Sequence, residues 1–195
     1  INTVPVLDIL RNTTNPIIGK RSFSEDPLIV KKLGEMCVKF YKLNKVFTVS
    51  KHIPGHGGAK SDSHFKTPKV NLSLNKLKNE DFLPFKSNSS LFAMTAHIIY
   101  SKIDNNNVAT FSKKIINEII RKKIGFKGII ISDDISMKAL KFDLITNAKK
   151  SLAAGCNIVL YCAGRYKDTQ KLIKEVPFID QFTLKKTSEF YKQLG

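Results

Sequence analysis

The sequence contains no tryptophan, only three cysteines and only four arginines. The cysteines, Cys37, Cys156 and Cys162, are odd in number and show no CxxC spacing. Disulfide frameworks and thiolate metal sites need paired or closely spaced cysteines, so neither is predicted. We expect all three thiols to be reduced and to lie in core segments.

Long hydrophobic runs are also missing. No apolar stretch approaches the roughly 18 residues that cross a membrane. The opening residues 1–8 lack the basic start and the apolar centre of a signal peptide. The sequence therefore predicts a soluble, cytoplasmic protein with no membrane partner. Its 195 residues are expected to form one domain, residues 1–195.

Acidic residues are scarce, with 16 Asp and Glu against 33 Lys and Arg, which gives a formal net charge of +17. Such a chain could bind nucleic acid, because cations displace counterions from phosphates. However, 33 − 4 = 29 of the basic residues are lysines spread along the whole chain. Base recognition and phosphate forks favour arginine. A solvated lysine surface is the preferred interpretation, and a basic nucleic-acid binder is kept as the less favoured alternative.

Short apolar runs alternate with segments of helical periodicity. Five runs are nearly continuous in hydrophobic residues, as buried parallel strands are. They comprise residues 4–9, 46–50, 91–98, 128–131 and 157–162. A strand followed by a helix, repeated, predicts an α/β fold with a parallel sheet or barrel. In such folds the functional site lies at the carboxyl ends of the strands.

Helix signals separate these runs. Asp26 and Pro27 predict the start of a helix. Its buried face is predicted to hold Ile29, Leu33, Met36, Cys37 and Phe40. Ser112 and Gly125 predict the start and the end of a second helix, and Gly155 the end of a third. Residues 169–175 and 183–194 are predicted to form two more.

Three of the four histidines lie in residues 51–64, directly after one predicted strand. Asp62 and His64 are two residues apart, so their side chains leave an extended loop on the same side. A carboxylate beside an imidazole fixes its tautomer and raises its pKa towards values useful for general acid–base catalysis. The spacing alone also fits an ordinary polar loop with an Asx turn.

His52 and His56 are four residues apart, a spacing that a helical metal site could use, with Asp62 and His64 completing the ligands. Pro54 and Gly55 stand between the first two and oppose the helical turn. No metal site is therefore predicted. Lys51 and His52 are better interpreted as hydrogen-bond donors to a polar ligand.

Asp133 and Asp134 follow another apolar run. Adjacent residues at a strand end point in opposite directions, so only one can face a central site. That carboxylate could be a nucleophile or a metal ligand, and its neighbour would fix the loop or cap the next helix. The spacing does not say which is which. Arg21 could bind a substrate oxygen or form a surface ion pair.

Together these segments resemble the bacterial β-N-acetylglucosaminidases of glycoside hydrolase family 3, the type that works in peptidoglycan recycling. The lysine-to-histidine segment followed by Asp-Ser-His is the most specific match. The resemblance is carried by residues 4–8, 18–23, 51–64, 95–100, 125–137 and 153–156. It implies a (β/α)8 TIM-type barrel, Asp133 as nucleophile, His64 as general acid/base and Asp62 as its partner. It also implies that Arg21, Lys51 and His52 hold the sugar.

The reaction implied by this resemblance is retaining hydrolysis of a terminal β-linked N-acetylglucosamine. The expected substrate is a muropeptide or disaccharide that contains N-acetylglucosamine, processed in the cytoplasm. No metal or organic cofactor is implied.

By the same resemblance, residues 4–8 match roughly the fourth strand of the barrel. The chain is then N-terminally truncated relative to the family and supplies about the last five strand–helix units. A separate chain could supply the missing strands. An inactive or partner-dependent remnant of this enzyme is the alternative to an active hydrolase.

Overall fold

The computed structural model of the protein describes residues 1–12, 18–59 and 67–193. Its centre is a parallel sheet in the order β1-β3-β5-β6, and β2 and β4 form a second parallel pair. The strands are β1 (Val49–Ile53), β2 (Lys69–Val70), β3 (Phe92–Thr95), β4 (Ile99–Tyr100), β5 (Ile129–Asp134) and β6 (Ile158–Leu160). With helices between the parallel strands, this is part of a TIM-type α/β barrel, as predicted.

Residues 1–9 lie beside β1 as a fifth parallel segment, although they form no regular strand. Isolated bridges join Asn2 to Thr48 and Val6 to Lys51. The bridged residues Asn2 and Val6 are four positions apart, whereas their partners Thr48 and Lys51 are three positions apart. Residues 1–9 therefore contain one extra residue between the two bridges. The predicted strand over residues 4–9 does run parallel to β1, but it is not a regular strand.

The helices are α1 (Pro27–Leu43), α2 (Leu74–Asn79), a π-helix (Ile115–Ile124), α3 (Leu144–Ala154), α4 (Tyr166–Glu175) and α5 (Gln181–Lys192). The cap signals at Asp26, Ser112, Gly125 and Gly155 are confirmed, whereas α4 and α5 begin three and two residues before their predicted starts at 169 and 183. Short 3-10 turns cover Gly19–Arg21, Leu83–Phe85 and Ala109–Phe111. Asp26 accepts a hydrogen bond from the Leu28 amide, and Ser112 accepts one from the Ile115 amide. Gly125 and Gly155 end their helices with φ of 81° and 115°.

The predicted buried face of α1 is wrong. Its buried residues are Val30, Gly34 and Val38. Ile29, Leu33, Met36 and Phe40 are exposed instead, and Cys37 is half-buried. Leu7 lies so close to α1 that a Cβ at Gly34 would overlap its side chain. The helix therefore approaches the sheet through its glycine, and the bulkier stripe cannot occupy that position.

The sheet separates two apolar clusters. On one face Ile53, Ala93 and Ile130 pack with Val30 of α1 and with Ile115, Ile116 and Ile119 of the π-helix. On the other face Val49, Phe92, Met94 and Ile129 pack around Phe190 of α5. Within β3 and the first part of β5 the two faces alternate with the two-residue period of a strand. Irregularities between Lys51 and Ile53 and between Ile131 and Asp134 interrupt this period, so Val49 and Ile53 lie on different faces although they are four residues apart.

The amino-terminal ends of the strands are closed by aromatic packing. Phe190 meets Phe47 and Phe92 edge-on, with ring centroids 4.7 and 5.4 Å away. A cavity of about 650 Å³ lies at this same end, lined by Val46 and Leu91 among others. It contains none of the predicted site residues, so the cavity and the candidate chemistry lie at opposite ends of the sheet.

Two further sequence predictions bear on the core and on membranes. Cys156 is buried, but Cys162 is exposed, because β6 ends at Leu160 and the chain has already left the sheet. The prediction that Cys162 lies in the core is wrong. Across residues 1–12, 18–59 and 67–193, no helix is both long and apolar enough to cross a membrane.

Candidate active site

A buried carboxylate organises the centre of the site. Asp8 is fully buried at the end of the edge segment, and its Oδ2 lies 2.7 Å from His52 Nδ1. Its Oδ1 accepts hydrogen bonds from the amides of His52 and His56, at 3.2 and 2.6 Å. Burial alone would raise the pKa of Asp8, but the interactions with His52 and His56 outweigh burial and lower it. The ionised carboxylate therefore requires the proton of His52 to be on Nδ1.

His52 connects this carboxylate to the predicted nucleophile. With Nδ1 directed at Asp8, Nε2 lies 4.0 Å from Oδ2 of Asp133. The His52 side chain is 7% exposed and that of Asp133 is 21% exposed. The structure thus brings two predicted site residues together at the carboxyl ends of β1 and β5, the two strands that flank β3. It places His52 within β1, because that strand runs to Ile53, three residues beyond the predicted end.

The adjacent aspartates point in different directions and make different contacts. Asp134 accepts hydrogen bonds from the amide and hydroxyl of Ser136 and from the Cys162 amide. Asp133 Oδ1 accepts one from the Asp134 amide, which leaves Oδ2 on the side of His52. Asp134 therefore holds the loops that follow β5 and β6, and Asp133 is the carboxylate available to a ligand.

Two cations lie near Asp133. Lys51 is half-buried on β1, and Arg21 is exposed at the end of the 3-10 turn Gly19–Arg21. Burial and the positive charge of Arg21 lower the pKa of Lys51, while Asp133 and Asp8 act in the opposite direction. These groups are close enough to influence one another, so cationic donors and carboxylates share this end of the sheet.

Asp62 and His64 lie outside the described residues, but both ends of their segment are described. On the entry side, a Cβ at Gly57 would overlap the Ile9 carbonyl oxygen. Gly55 has φ of +127°, and a Cβ there would come within 2.8 Å of Asp81 Cβ. On the exit side, Thr67 Oγ1 donates to the Ala139 carbonyl at 2.9 Å. The described chain is therefore held against Ile9 at Gly57 and against Ala139, five residues after Asp134, at Thr67.

An ion-pair cluster supports the entry side. The Arg11 guanidinium contacts Asp81 at 2.9 and 2.8 Å and Glu80 at 2.8 Å. Asp81 is almost fully buried, and burial raises its pKa although Arg11 opposes the shift. Tyr100, which is fully buried, donates a 2.6 Å hydrogen bond to the Gly55 carbonyl. The turn before the histidine-bearing segment is thus held by charge, by sterics and by a hydrogen bond.

Sequence reasoning gave no role to the buried polar residues Asp8 and His97, and it considered His56 only as part of a possible metal-binding pair. Asp8 ends an apolar run as the other predicted carboxylates do, and that signal could have identified it. His97 Nε2 lies 3.0 Å from the Asp134 carbonyl oxygen, and its Nδ1 lies 2.7 Å from Thr110 Oγ1. Burial lowers the pKa of His97, so a neutral ring that donates through Nε2 fits both contacts. Burial also lowers the pKa of His56 to about 4.

His52 and His56, the pair whose spacing suggested a metal, meet edge-on with ring centroids 5.7 Å apart. His56 Nδ1 is buried and has no hydrogen-bond partner among the described residues. In those same parts of the chain, no group of three or more His, Cys, Asp or Glu side chains is arranged to hold a metal ion.

Residues 1–184 match the model of the glycosyl hydrolase family 3 N terminal domain. The chain belongs to glycoside hydrolase family 3. This family 3 chain is 36% identical over 171 residues to a β-hexosaminidase of Tolumonas auensis, covering 85% of this chain and 50% of the relative. It is 37% identical over 168 residues to a β-hexosaminidase of Shewanella frigidimarina, covering 83% and 48%. The family 3 chain thus spans about half the length of these curated relatives.

Solved structures show the same fold. NagZ from Neisseria gonorrhoeae, in complex with N-trifluoroacetyl-D-glucosamine, superposes with a TM-score of 0.85 at 31% identity, over 98% of the family 3 chain and 55% of that protein. A family 3 β-N-acetylglucosaminidase from Paenibacillus sp. str. FPU-7 gives 0.87 at 26% identity, over 98% and 39%. The described half-barrel therefore has a counterpart inside larger proteins of the family.

Proposed function

We propose that this chain carries the catalytic residues of a retaining β-N-acetylhexosaminidase that removes terminal β-linked N-acetylglucosamine. One observation carries the proposal: Oδ2 of Asp133 lies 4.0 Å from Nε2 of His52, whose ring is fixed by the buried Asp8. A fixed, partly exposed carboxylate with cationic donors nearby is suited to nucleophilic attack on a sugar. The names of the two bacterial relatives and of the Paenibacillus protein support the substrate class.

In the proposed reaction, Asp133 Oδ2 attacks the anomeric carbon and forms a glycosyl-enzyme ester as the bond to the leaving oxygen breaks. His64 protonates that oxygen and then removes a proton from the water that cleaves the ester. Asp62 is proposed to hold the His64 ring. The hydrogen bond from Thr67 to the Ala139 carbonyl supports this role for His64, since it holds a residue three positions after His64 against the segment that follows Asp133 and Asp134.

Arg21, Lys51 and His52 are proposed to bind the sugar hydroxyl and acetamido groups. The lowered pKa of Lys51 favours short hydrogen bonds to hydroxyl oxygens, and His52 presents Nε2 beside Asp133. The proposed substrate is a muropeptide or disaccharide from cell-wall turnover, which would place the reaction in the cytoplasm. The proposed scheme uses no metal and no organic cofactor.

Hydrolysis of 4-nitrophenyl N-acetyl-β-glucosaminide tests the proposal, measured with the chain alone and with the strands that it does not contain. Asp133→Asn should lower kcat by about 1000-fold or more, because it removes the nucleophile. The matched control is Asp134→Asn, which keeps an acceptor oxygen for Ser136 and Cys162 and should lower kcat by about tenfold at most. Equal losses in the two variants would contradict the assignment of Asp133.

The role of His64 has its own signature. His64→Ala should slow hydrolysis of substrates with poor leaving groups by about 100-fold or more, because they need protonation. With a dinitrophenyl leaving group the first step needs no acid, so the glycosyl-enzyme should accumulate and be visible by mass spectrometry on Asp133. Azide should then restore turnover and give a β-glycosyl azide. Absence of both the adduct and the rescue would exclude His64 as acid/base.

An inactive or partner-dependent remnant is the second candidate, and the chain spans about half the length of the curated relatives that it matches. The same assay separates the candidates. An inactive remnant gives no turnover alone or when supplemented, whereas a partner-dependent subunit gives turnover only when the missing strands are supplied.

A further inference from the structure

The strand that carries Asp133 extends beyond its neighbour on one side. The ladder between β3 and β5 ends at Ile131, although β5 continues to Asp134. On its other side β5 stays paired with β6 as far as Asp134, with an irregularity after Ile131. Irregularities of this kind are common next to active sites, because they redirect a side chain. Within the described chain, the last three residues of β5 therefore have a strand partner on one side only.

A histidine side chain takes the position that β3 leaves. His97 follows the end of β3 by two residues and is 3% exposed. Its Nε2 lies 3.0 Å from the carbonyl oxygen of Asp134, which also accepts a hydrogen bond from the Met137 amide at 3.1 Å. The imidazole thus makes the contact with β5 that a longer β3 would make through its backbone.

The hydrogen bonds around His97 have one consistent direction. A carbonyl oxygen only accepts, so the ring must carry its proton on Nε2. Burial lowers the pKa of His97 and keeps the ring neutral, although the nearby charge of Asp133 acts in the opposite direction. Nδ1 then accepts from Thr110 Oγ1 at 2.7 Å, and Thr110 Oγ1 accepts in turn from Thr95 Oγ1 at 2.8 Å. Both threonines are fully buried, so water does not compete for these bonds.

The backbone of Asp134 links this network to the proposed nucleophile. Its carbonyl oxygen is held by His97, and its amide donates at 2.8 Å to Oδ1 of Asp133. One residue therefore carries both contacts, and its orientation sets the direction of the Asp133 carboxylate. With Oδ1 held in this way, Oδ2 is the oxygen that lies 4.0 Å from His52 Nε2.

We propose that His97 is a positioning residue for Asp133. It fixes the Asp134 backbone, which in turn holds the Asp133 carboxylate in one orientation for attack on the anomeric carbon. The inference rests on the proposed function, but the orientation of the carboxylate is measured without catalysis. Loss of the Nε2 contact lets the carboxylate adopt other rotamers, and a displacement of about 1 Å at a reacting group can lower a rate by about 100-fold.

Two substitutions of His97 each keep one half of its contacts. In His97→Gln the side-chain amide can donate at the position of Nε2, whereas the acceptor for Thr110 is lost. In His97→Asn the side-chain oxygen can accept from Thr110 at the position of Nδ1, but the side chain is too short to reach the Asp134 carbonyl. Each variant loses one buried hydrogen bond, so their stabilities in urea unfolding should be similar. A purely structural role for His97 therefore predicts equal effects at Asp133.

NMR of the chain measures the orientation directly. Three-bond couplings from Cγ of Asp133 to its own backbone nitrogen and carbonyl carbon report χ1, and Asp133→Asn assigns the signal. Wild type and His97→Gln should show a single rotamer, whereas His97→Asn should show averaged couplings. A single unchanged rotamer in His97→Asn, or the same averaging in both variants, would overturn the proposal.

Hydrolysis of 4-nitrophenyl N-acetyl-β-glucosaminide gives a second measurement. His97→Asn should lower kcat by about 30-fold with KM within about threefold, and His97→Gln should keep kcat within about threefold. Ser90→Ala is the distant control. It removes buried hydrogen bonds to the Thr48 and Phe92 carbonyls at the amino-terminal end of the sheet, and it should leave kcat unchanged.

The outcomes separate this inference from the proposed function. Averaged couplings in His97→Asn, with equal losses of kcat in Asp133→Asn and Asp134→Asn, leave the inference standing and remove the proposed function. An unchanged kcat in His97→Asn does the reverse. If the chain gives no turnover, the couplings decide.

Discussion

The two ends of the parallel strands are held by different forces. At the carboxyl ends, Asp8, His52 and Asp133 form a line of polar contacts in which a buried carboxylate fixes a ring and the ring faces a second carboxylate. At the amino-terminal ends, Phe190 seals the sheet through edge-on contacts with Phe47 and Phe92. The comparison shows that stability and chemistry are separable here, because a change at one end need not alter the other.

Phe190→Ala should give the largest change in stability. It removes a buried ring and leaves a void between two aromatic partners, so the free energy of unfolding should fall by about 3–5 kcal/mol. The geometry of Asp8 and His52 should not change. Urea unfolding provides the measurement, and Tyr191→Ala, at a residue 67% exposed on the same helix, is the control with less than about 1 kcal/mol expected. A comparable loss in both variants would mean that α5 does not seal the sheet.

Asp8→Asn should affect both properties at the polar end. An amide cannot accept all three hydrogen bonds from His52 and His56, so we expect the free energy of unfolding to fall by about 2–3 kcal/mol and the kcat of the proposed hydrolysis to fall by about 100-fold. Asp26→Asn is the control, because asparagine caps a helix as well as aspartate does. If Asp8→Asn unfolds the chain no more easily than the control does, the network does not hold the site.

The dependence of stability on pH in acid tests the proposed role of Asp8 independently. The pKa of Asp8 is lower in the folded protein than in the unfolded chain. The stabilisation that Asp8 contributes to the free energy of unfolding is therefore fully present above the pKa of the unfolded chain, about 3.9. This stabilisation is lost as the pH falls through the pKa of Asp8 in the folded protein. The Asp8→Asn variant should lack this part of the loss on acidification.

His56→Gln should change the pH dependence at less acid pH. The pKa of His56 is about 4 in the folded protein and near 6.5 in the unfolded chain, so the unfolded chain binds more protons between these values. Wild-type stability should fall by about 1.5–2 kcal/mol between pH 7 and pH 5 from this group. The variant should lose that slope. An unchanged slope, measured by urea unfolding at each pH, would show that His56 titrates normally.

Tyr100→Phe should have the smallest effect. It deletes one buried hydrogen bond to the Gly55 carbonyl, so we expect about 1 kcal/mol of destabilisation. Tyr161→Phe removes a hydrogen bond to Asp168 at the surface and should cost less than about 0.5 kcal/mol. If the two costs are equal in thermal unfolding, burial does not distinguish these contacts.

The sequence predicts the main strands and their parallel direction, because strands buried in a parallel sheet are nearly continuous in apolar residues. It predicts neither the order of the strands in the sheet nor the short pair β2 and β4. It does not predict which stripe of α1 is buried. Ile29 and Phe40 are more hydrophobic than Val30 and Gly34, so periodicity favours the exposed stripe. Only the approach of Leu7 shows why the smaller residues face the sheet. A local sequence pattern shows which helix face is more hydrophobic. Which face packs on the sheet depends on the distance between the helix and the sheet, which a local pattern does not show.

The candidate site divides in a similar way. Lys51, His52 and Asp133 were predicted from their place near apolar runs and from family resemblance, and the structure brings them together. The partnership of Asp8 with His52 spans 44 residues, so no local spacing could show it. The contact between His97 and the Asp134 carbonyl spans 37 residues, so local spacing could not show it either. The roles of Asp62 and His64 stay predictions.

The placement of Asp8 has a consequence for how the site would respond to local opening of residues 1–9. The carboxylate that orients His52 stands on a segment held to β1 by isolated bridges. Transient fraying there would let the imidazole rotate and exchange its proton with solvent. Hydrogen exchange of the Leu7 amide should therefore become faster under the same conditions in which the NMR signal of the His52 Nδ1 proton disappears. Local opening of residues 1–9 would therefore disturb the His52 ring under conditions in which the rest of the protein is still folded.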